Sequence, residues 1–322
     1  MKRIGILTSG GDAPGMNAAI RAATRTALAN GAEVVGVRRG YAGLIAGDFQ
    51  PLSARDVGGI LEQGGTVLES ARSLAFKTPE GVACAVAALE QAYIDGLIVI
   101  GGNGSQTGAL SLAKAGVPVM GIASTIDNDL AGSDITIGVD SALAVAVEAI
   151  DRLRTTATSH HRLFIIEVMG RDCGYLALAA GLAGGAEVII TPESAITPED
   201  AVELVHEANR RGKKHAIIVI AEGARPCTQD FYDALLQDRD ACFDPRLTIL
   251  GHTQRGGRPT AADRLLATRF GCRAAEMLLG GLSGYLVGTI NGAVSHTPLE
   301  DIAGKTKPLP QELLDIVHAM RL

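Results

Sequence analysis

The chain has no tryptophan, and its basic residues do not outnumber its acidic ones: 29 Lys+Arg against 35 Asp+Glu give a formal net charge of -6. Neither a nucleic-acid surface nor a basic membrane patch is suggested by that balance. No apolar run reaches the roughly 18 residues of a membrane span. The start, MKRIGILTSGGDAPG, turns to glycine and aspartate too early for a signal peptide. The five cysteines, at 84, 173, 227, 242 and 272, are odd in number, widely spaced and without a CxxC pair. This argues against a disulfide framework or structural zinc and makes the cytoplasm the expected compartment. No GxxxxGK[ST] loop occurs, and no GxGxxG with its downstream acid, which weakens ordinary P-loop and dinucleotide-binding readings.

Glycine, by contrast, is abundant: 40 residues, gathered in pairs beside apolar runs. Such glycines let backbone approach a ligand closely. Nearly continuous apolar runs at Arg3 to Thr8, Glu33 to Val37, Leu97 to Gly101 and Pro118 to Ile122 each lead into a glycine-rich bend and an alanine-rich or amphipathic stretch. That is the pattern of parallel strands covered on both faces by helices. After a helical segment at Val139 to Thr155, a second series follows at Leu163 to Val168, Glu187 to Thr191 and His215 to Ala221, with a further strand at Tyr285 to Ile290. The expected fold class is α/β: two doubly wound, Rossmann-like domains with mainly parallel sheets and a cleft between them.

Ligands of open α/β sheets sit beyond the carboxyl ends of the strands, where helix N-termini attract phosphate. Four features fit that place. Thr8 to Arg21, TSGGDAPGMNAAIR, sets Gly10 and Gly11 after the first strand; a tight turn is the plain alternative. Ile100 to Ala109, IGGNGSQTGA, repeats strand, glycines and helix. Ser124 to Leu130, STIDNDL, places Asp127 and Asp129 two residues apart at a strand exit. They could serve as a base for an attacking hydroxyl and a cation ligand, or as an Asx turn. The fourth is a set of arginines, Arg72, Arg162, Arg171, Arg246 and Arg255, with His252; Arg171 and Arg255 sit between glycines and apolar residues, a context that suits bidentate phosphate recognition.

In combination, TSGGDAPGMNAAIR, GGTVLESAR, GGNGS, TIDND, EAIDRLR, EVMGR, GKKHAI and LGHTQRGG resemble the bacterial ATP-dependent 6-phosphofructokinases, in order over residues 1 to 290. The resemblance implies a larger ATP-binding domain of residues 1–138 plus 254–305 and a smaller sugar-phosphate domain of 139–253 plus 306–322. It implies that ATP lies on Gly11, Tyr41, Arg72, Ser73, Gly102, Asn103, Gly104 and Ser105, and that Mg2+ is held by Asn103 and Asp129. Asp127 would be the general base, with Thr125, Arg171 and Gly11 at the transferring phosphoryl group. Fructose 6-phosphate would meet Thr125, Asp127, Met169, Gly170, Arg171, Glu222, His252 and Arg255, with Arg162 and Arg246 reaching across from a neighbouring subunit of a homotetramer. A nucleotide or phosphoenolpyruvate effector would meet Arg21, Arg25, Arg154, Glu187, Arg211 and Lys213.

Three departures from the family pattern stand out. Asn103 replaces the usual aspartate of GGDGS, which predicts weaker metal affinity. Ser124 replaces the glycine of ATP users and the lysine of pyrophosphate users, while Gly104 leaves the room that pyrophosphate users commonly fill with aspartate. Ala54 and Arg55 replace an arginine and aromatic pair in the effector pocket, so allosteric response is expected to be lost or altered as readily as kept. The alternatives are a pyrophosphate-dependent phosphofructokinase and a catalytically silent nucleotide-binding paralogue.

Overall fold

The computed structural model of the chain describes residues 1–320; residues 321 and 322, assigned above to the smaller domain, lie outside them. Two compact units emerge, one of Met1–Ser141 and Arg255–Lys307, the other of Ala142–Gln254 and Pro308 onward.

The first unit runs β1 (Arg3–Thr8), α1 (Met16–Ala29), β2 (Glu33–Val37), α2 (Gly40–Ala46), β3 (Phe49–Pro51), α3 (Pro79–Gln91), β4 (Gly96–Gly101), α4 (Asn103–Lys114) and β5 (Val119–Ala123). Helix α5 (Val139–His160) then leads into the second unit, with β6 (Arg162–Val168), α6 (Tyr175–Ala183), β7 (Val188–Ile190), α7 (Pro198–Arg210), β8 (Ala216–Ala221), α8 (Thr228–Gln237) and β9 (Asp244–Ile249). The chain returns to the first unit through α9 (Ala261–Leu279), β10 (Tyr285–Ile290), β11 (Ala293–Pro298) and α10 (Leu299–Ile302), and ends with α11 (Gln311–Met320) in the second.

The first sheet has seven strands in the order β11-β10-β5-β4-β1-β2-β3, parallel except for its two edges, where β3 pairs antiparallel with β2 and β11 with β10. The chain lays β2 and β3 on one side of β1, then returns to lay β4 and β5 on the other. The order therefore reverses between β1 and β4, and such a switch point opens a crevice at the carboxyl ends of the strands. Register there is Ile4↔Gly96 through Thr8↔Ile100, so β1 and β4 end side by side. The second sheet is fully parallel, β7-β8-β6-β9.

All six residues of β4 and of β8 are buried, as unbroken apolar strands between helix layers must be. In the second unit, Leu163, Ile165, Ile218, Phe231 and Leu235 form part of one core cluster, and each such side chain contributes roughly 1.5–3 kcal/mol on burial. Helix α1 packs against α9 at close range: a Cβ on Gly271 would stand 2.6 Å from the Ala19 carbonyl. The edge strands β3, β9 and β11, which carry proline, arginine or histidine, were not among the expected strands; each has one neighbour and need not be apolar on both faces. No helix among the described residues is long and apolar enough to cross a membrane.

Candidate active site

The first unit gathers TSGGD, GGNGS and TIDND at the carboxyl ends of β1, β4 and β5. The backbone N–H of Ser9 donates to the Ile100 carbonyl at 3.0 Å, joining the first two loops. Gly10 has φ +85°, where a side chain is strained. Gly11 lies against Arg255, whose guanidinium would be 2.7 Å from a Cβ at Gly11 and donates to the Asp12 carbonyl at 2.7 Å. Arg255, grouped above with the sugar-phosphate residues, thus sits buried on the glycine loop of the first unit. Ser70 Oγ donates to the Gly10 carbonyl at 2.7 Å, so the segment bearing exposed Arg72 and half-buried Ser73 is tied to the same loop.

Helix α4 is capped by Gly102 with no side-chain acceptor, and no acidic residue lies in its first turn. Its first backbone N–H groups are therefore available to an anion, and the helix dipole favours negative charge there. A Cβ at Gly104 would meet nothing within 4 Å, so the approach is open. Ser105 is buried, and its carbonyl accepts the Tyr41 hydroxyl at 2.6 Å. Tyr41, expected to flank a nucleotide, is instead enclosed: its ring stacks on Phe76 at 3.9 Å between centroids and lies under Gly108 of α4. Burial pushes its hydroxyl far above the ordinary tyrosine range. Its contribution is to hold α4 from beneath. Buried Gln106 does likewise, its Nε2 donating to Gly101 at 2.9 Å and to Ile122 at 3.2 Å, across the ends of β4 and β5.

At the exit of β5, Thr136 Oγ1 donates to the Thr125 carbonyl at 2.6 Å, and Thr125 Oγ1 accepts the Asp127 N–H at 3.2 Å. Asp127 is 5% exposed. Asn128 takes φ +52°, which bends the chain between the two aspartates. Asn103, the first residue of α4, donates its amide to Asp129 Oδ2 at 2.9 Å, while its Oδ1 is buried with no protein partner. An orphaned acceptor beside a carboxylate is the donor set a hard cation takes up. Ser124, the second departure, is buried and hydrogen-bonds the Ile137 carbonyl at 3.4 Å, so its hydroxyl is used inside the fold.

One residue that sequence reasoning missed organises this turn. The Lys307 N–H donates to the Asp129 carbonyl at 2.8 Å, and its ammonium donates to Asn128 Oδ1, Ser133 O and Asp134 O at 2.9, 2.8 and 2.8 Å. No local motif marks it.

In the second unit, Met169, Gly170 and Arg171 leave the carboxyl end of β6, and Glu222 leaves that of β8 beside it. Glu222 Oε1 accepts the Arg171 N–H at 2.8 Å and the Gly170 N–H at 3.3 Å, and the Met169 N–H donates to Gln254 Oε1 at 2.7 Å. Gly170 and Arg171 both have positive φ, 145° and 52°. His252, just beyond β9, is exposed. Arg162 and Arg246 are not brought to this end. They flank Asp244 at the start of β6 and β9, with Arg162 Nε 3.6 Å and Arg246 Nη1 2.7 Å from its carboxylate. Arg162 lies seven strand steps, about 23 Å, from Met169, and Arg246, in register with Phe164, lies five, about 17 Å, so neither joins Gly170 and Arg171 within one chain.

Of the effector candidates, Arg21 and Arg25 lie on α1 of the first unit. In the second unit, Arg154 donates to the Gly184 carbonyl and, at 3.0 Å, to that of Gly185. Glu187 is nearly enclosed and accepts Lys213 Nζ at 3.0 Å and the Ile217 N–H at 2.7 Å. Arg211 pairs with Glu207 on α7. Ala54 and Arg55 lie on an exposed turn of the first unit.

A switch-point crevice with glycine loops, a helix N-terminus without a side-chain cap and an aspartate beside an orphaned amide oxygen defines an α/β protein built to handle phosphate. Residues 3–278 match the phosphofructokinase family, and the chain belongs to it. It is 52% identical over 323 residues to the ATP-dependent 6-phosphofructokinase 1 of Thermus thermophilus, covering 100% of both chains. The ATP-dependent 6-phosphofructokinase of Listeria welshimeri is 49% identical over 322 residues, again covering both chains completely. Among solved structures, phosphofructokinase from Saccharomyces cerevisiae superposes with a TM-score of 0.86 at 36% identity, over 99% of this chain and 46% of that one. A pyrophosphate-dependent phosphofructokinase from Marinobacter aquaeolei shares the fold, with a TM-score of 0.88 at 22% identity, over 97% of this chain and 86% of that one.

Proposed function

We propose that the chain transfers the terminal phosphoryl group of ATP to the 1-hydroxyl of fructose 6-phosphate, giving fructose 1,6-bisphosphate and ADP. The observation that carries this reading is Asp129 held against Asn103 at the open N-terminus of α4, the Asn103 amide 2.9 Å from it, on the same turn that carries Asp127. In this reading the first unit takes ATP and the second the sugar phosphate. Backbone N–H groups of Gly11 and of Gly102 to Gly104 hold the donor phosphates. Asp127 accepts the proton of the attacking hydroxyl, a role that typically contributes about 10²–10⁴ in rate. Thr125 and Arg171 stabilise the charge that develops on the transferring oxygens, the larger part of catalysis in phosphoryl transfer.

Mg2+ fits beside Asp129 and the orphaned Asn103 Oδ1; when bound it neutralises phosphate charge. Met169, Gly170, Glu222 and His252 are suited to the sugar phosphate. Arg162 and Arg246, at the far end of their sheet, act on the site of another copy, and a homotetramer is the matching assembly. A nucleotide or phosphoenolpyruvate effector is proposed at Arg154, Glu187 and Lys213, in a protein of the cytoplasm. ATP is favoured over pyrophosphate by the empty space at Gly104, together with the names of the half-identical relatives.

The test is a coupled assay with fructose 6-phosphate, magnesium, and either ATP or pyrophosphate. Turnover with ATP alone is expected, and Asp127→Ala should abolish it while ATP binding survives. Turnover with pyrophosphate alone refutes the donor; equal loss of ATP binding refutes the role of Asp127.

A further inference from the structure

Away from the candidate site, the second unit holds a thiol, an imidazole and a carboxylate in series. Cys242 Sγ lies 3.2 Å from His206 Nδ1, and His206 Nε2 lies 2.8 Å from Asp238 Oδ2. The only other contact of the sulfur among the described hydrogen bonds is the Asp240 carbonyl at 3.8 Å, at the limit of a weak S–H bond. His206 comes from α7, Asp238 closes α8, and Cys242 stands on the connection to β9. The side chains of His206 and Asp238 are only 20% and 16% exposed, so the relay is held by its surroundings.

Asp238 accepts the Nε2–H, which selects the tautomer whose Nδ1 lone pair faces the thiol. Cys242 and Asp238 address opposite ring nitrogens and cannot converge on one ion; no group of three or more His, Cys, Asp or Glu side chains placed to hold a metal occurs among the described residues. What the geometry supplies is a base for a nucleophilic sulfur. The charges around it favour both halves of the resulting ion pair. Arg210, on α7 and paired with Glu203 at 2.6 Å, lies in the field of the sulfur, while Glu203 and Asp238 lie in that of the imidazole. The Asp240 carbonyl, at 3.8 Å, is the weak opposing contact, since it accepts from the neutral thiol. A cavity of about 340 Å³ bordered by Glu199, Val202, Ala234, Gln237 and Asp238 opens beside the carboxylate, and the thiol itself is half-buried.

We propose that Cys242 is an activated thiol that exchanges with small-molecule disulfides, making it a site of reversible S-thiolation. The thiol proton passes to His206 Nδ1, and the thiolate attacks one sulfur of RS–SR. A Cys242–S–SR bond forms as the RS–SR bond breaks, and the departing RS⁻ takes the proton from His206. One half of the small disulfide is reduced as Cys242 is oxidised, so no further oxidant is required.

The test exposes the whole native protein to glutathione disulfide at pH 6, 7 and 8 and follows each cysteine by peptide mass spectrometry. Exposed Cys84 and Cys227 are internal references for a half-buried Cys242. Cys242 should react first at pH 6 and change rate by less than about 3-fold up to pH 8, where an ordinary thiol changes by about 75-fold through its thiolate fraction. His206→Gln and Asp238→Asn should each restore a steep pH profile at Cys242, and Cys242→Ser should remove the fast phase without altering phosphoryl transfer. Should His206→Gln fail to fold, the wild-type profile and Asp238→Asn decide. The proposal is overturned if Cys242 is no faster than Cys84 at pH 6, or if its profile stays flat in a folded relay variant.

Discussion

Replacing Asn103 by aspartate sets two carboxylates where the native chain has an amide donating to one. The amide lies 2.9 Å from Asp129 Oδ2, and a hydrogen bond to an ionised group contributes about 1.5–3 kcal/mol, all of it lost in the variant. In its place stand two like charges at similar spacing, whose raw repulsion at an effective dielectric of about 20 is about 6 kcal/mol. Rotation of the exposed parts and entry of water leave only a fraction of this, but the sign is fixed: metal-free Asn103→Asp should be less stable, and a cation between the carboxylates should relieve it. If about 2 kcal/mol of that strain is relieved on binding, half-saturating magnesium falls roughly 30-fold. Initial rates at fixed ATP and varied magnesium measure this, with melting curves with and without magnesium beside them. A half-saturation within about 2-fold of wild type, with no magnesium-dependent gain in melting temperature, refutes the assignment of Asn103 and Asp129 to the cation, since a 2-fold change is only about 0.4 kcal/mol.

Asp263 is buried and accepts the Gly138 N–H, the Ser141 N–H and the Ser141 hydroxyl at 2.8, 2.8 and 2.6 Å; burial pushes its carboxyl up against the pull of these bonds. Asp263→Ala orphans the donors and should cost about 3 kcal/mol, seen as a lower denaturant midpoint. Lys307→Met, which frees the turn carrying Asp127 and Asp129, should lower kcat about 10-fold or more with a smaller change in KM for ATP, as expected when a reacting group is misplaced; an unchanged kcat means that the turn holds itself. Burial holds His215 below the ordinary histidine range, so its neutral form is the folded one. Its stabilising contribution is present above about pH 6.5 and lost as pH falls below; the wild type should therefore lose more stability than His215→Gln between pH 7.5 and 5.5 in urea titrations, and parallel losses count against it.

Strands whose two faces are both covered could be read from the chain because they are unbroken apolar runs. β1, β2 and β10 begin and end where the residue pattern places them, and β4, β5, β6 and β8 lie within a residue of it. β9, DPRLTI, could not be read so, because its exposed ends and partly covered centre carry an edge-strand composition that a loop shares. The glycine loops and the aspartate pair were legible for a local reason: backbone approach and charge spacing are written in consecutive residues. The role of Tyr41 under α4, and Lys307 altogether, were not, since each acts on a segment far along the chain, Tyr41 on Ser105 and Lys307 on Asn128 to Asp134, and nothing in their neighbours announces it. The same holds for Cys242, His206 and Asp238, brought together by the packing of α7 on α8.

Gly104 separates what the fold requires from what the reaction requires. Its backbone lies outside the left-handed region, it is the second residue of α4, and a Cβ there meets open space, so the fold has no need of glycine. Aspartate at this position should strengthen the helix, through better propensity than glycine and a negative charge at the positive end of the dipole, by about 1 kcal/mol together. For a unit of this size that is a rise of roughly 3 °C in melting temperature. If the space serves the nucleotide, the same carboxylate meets the donor phosphates and repels them. Gly104→Asp should then melt higher while its KM for ATP rises about 10-fold or more, the trade expected where a site keeps a locally unfavourable residue for function. A variant that melts higher and still binds ATP as the wild type does would show that the space above α4 belongs to no nucleotide, and the proposed donor would lose its structural support.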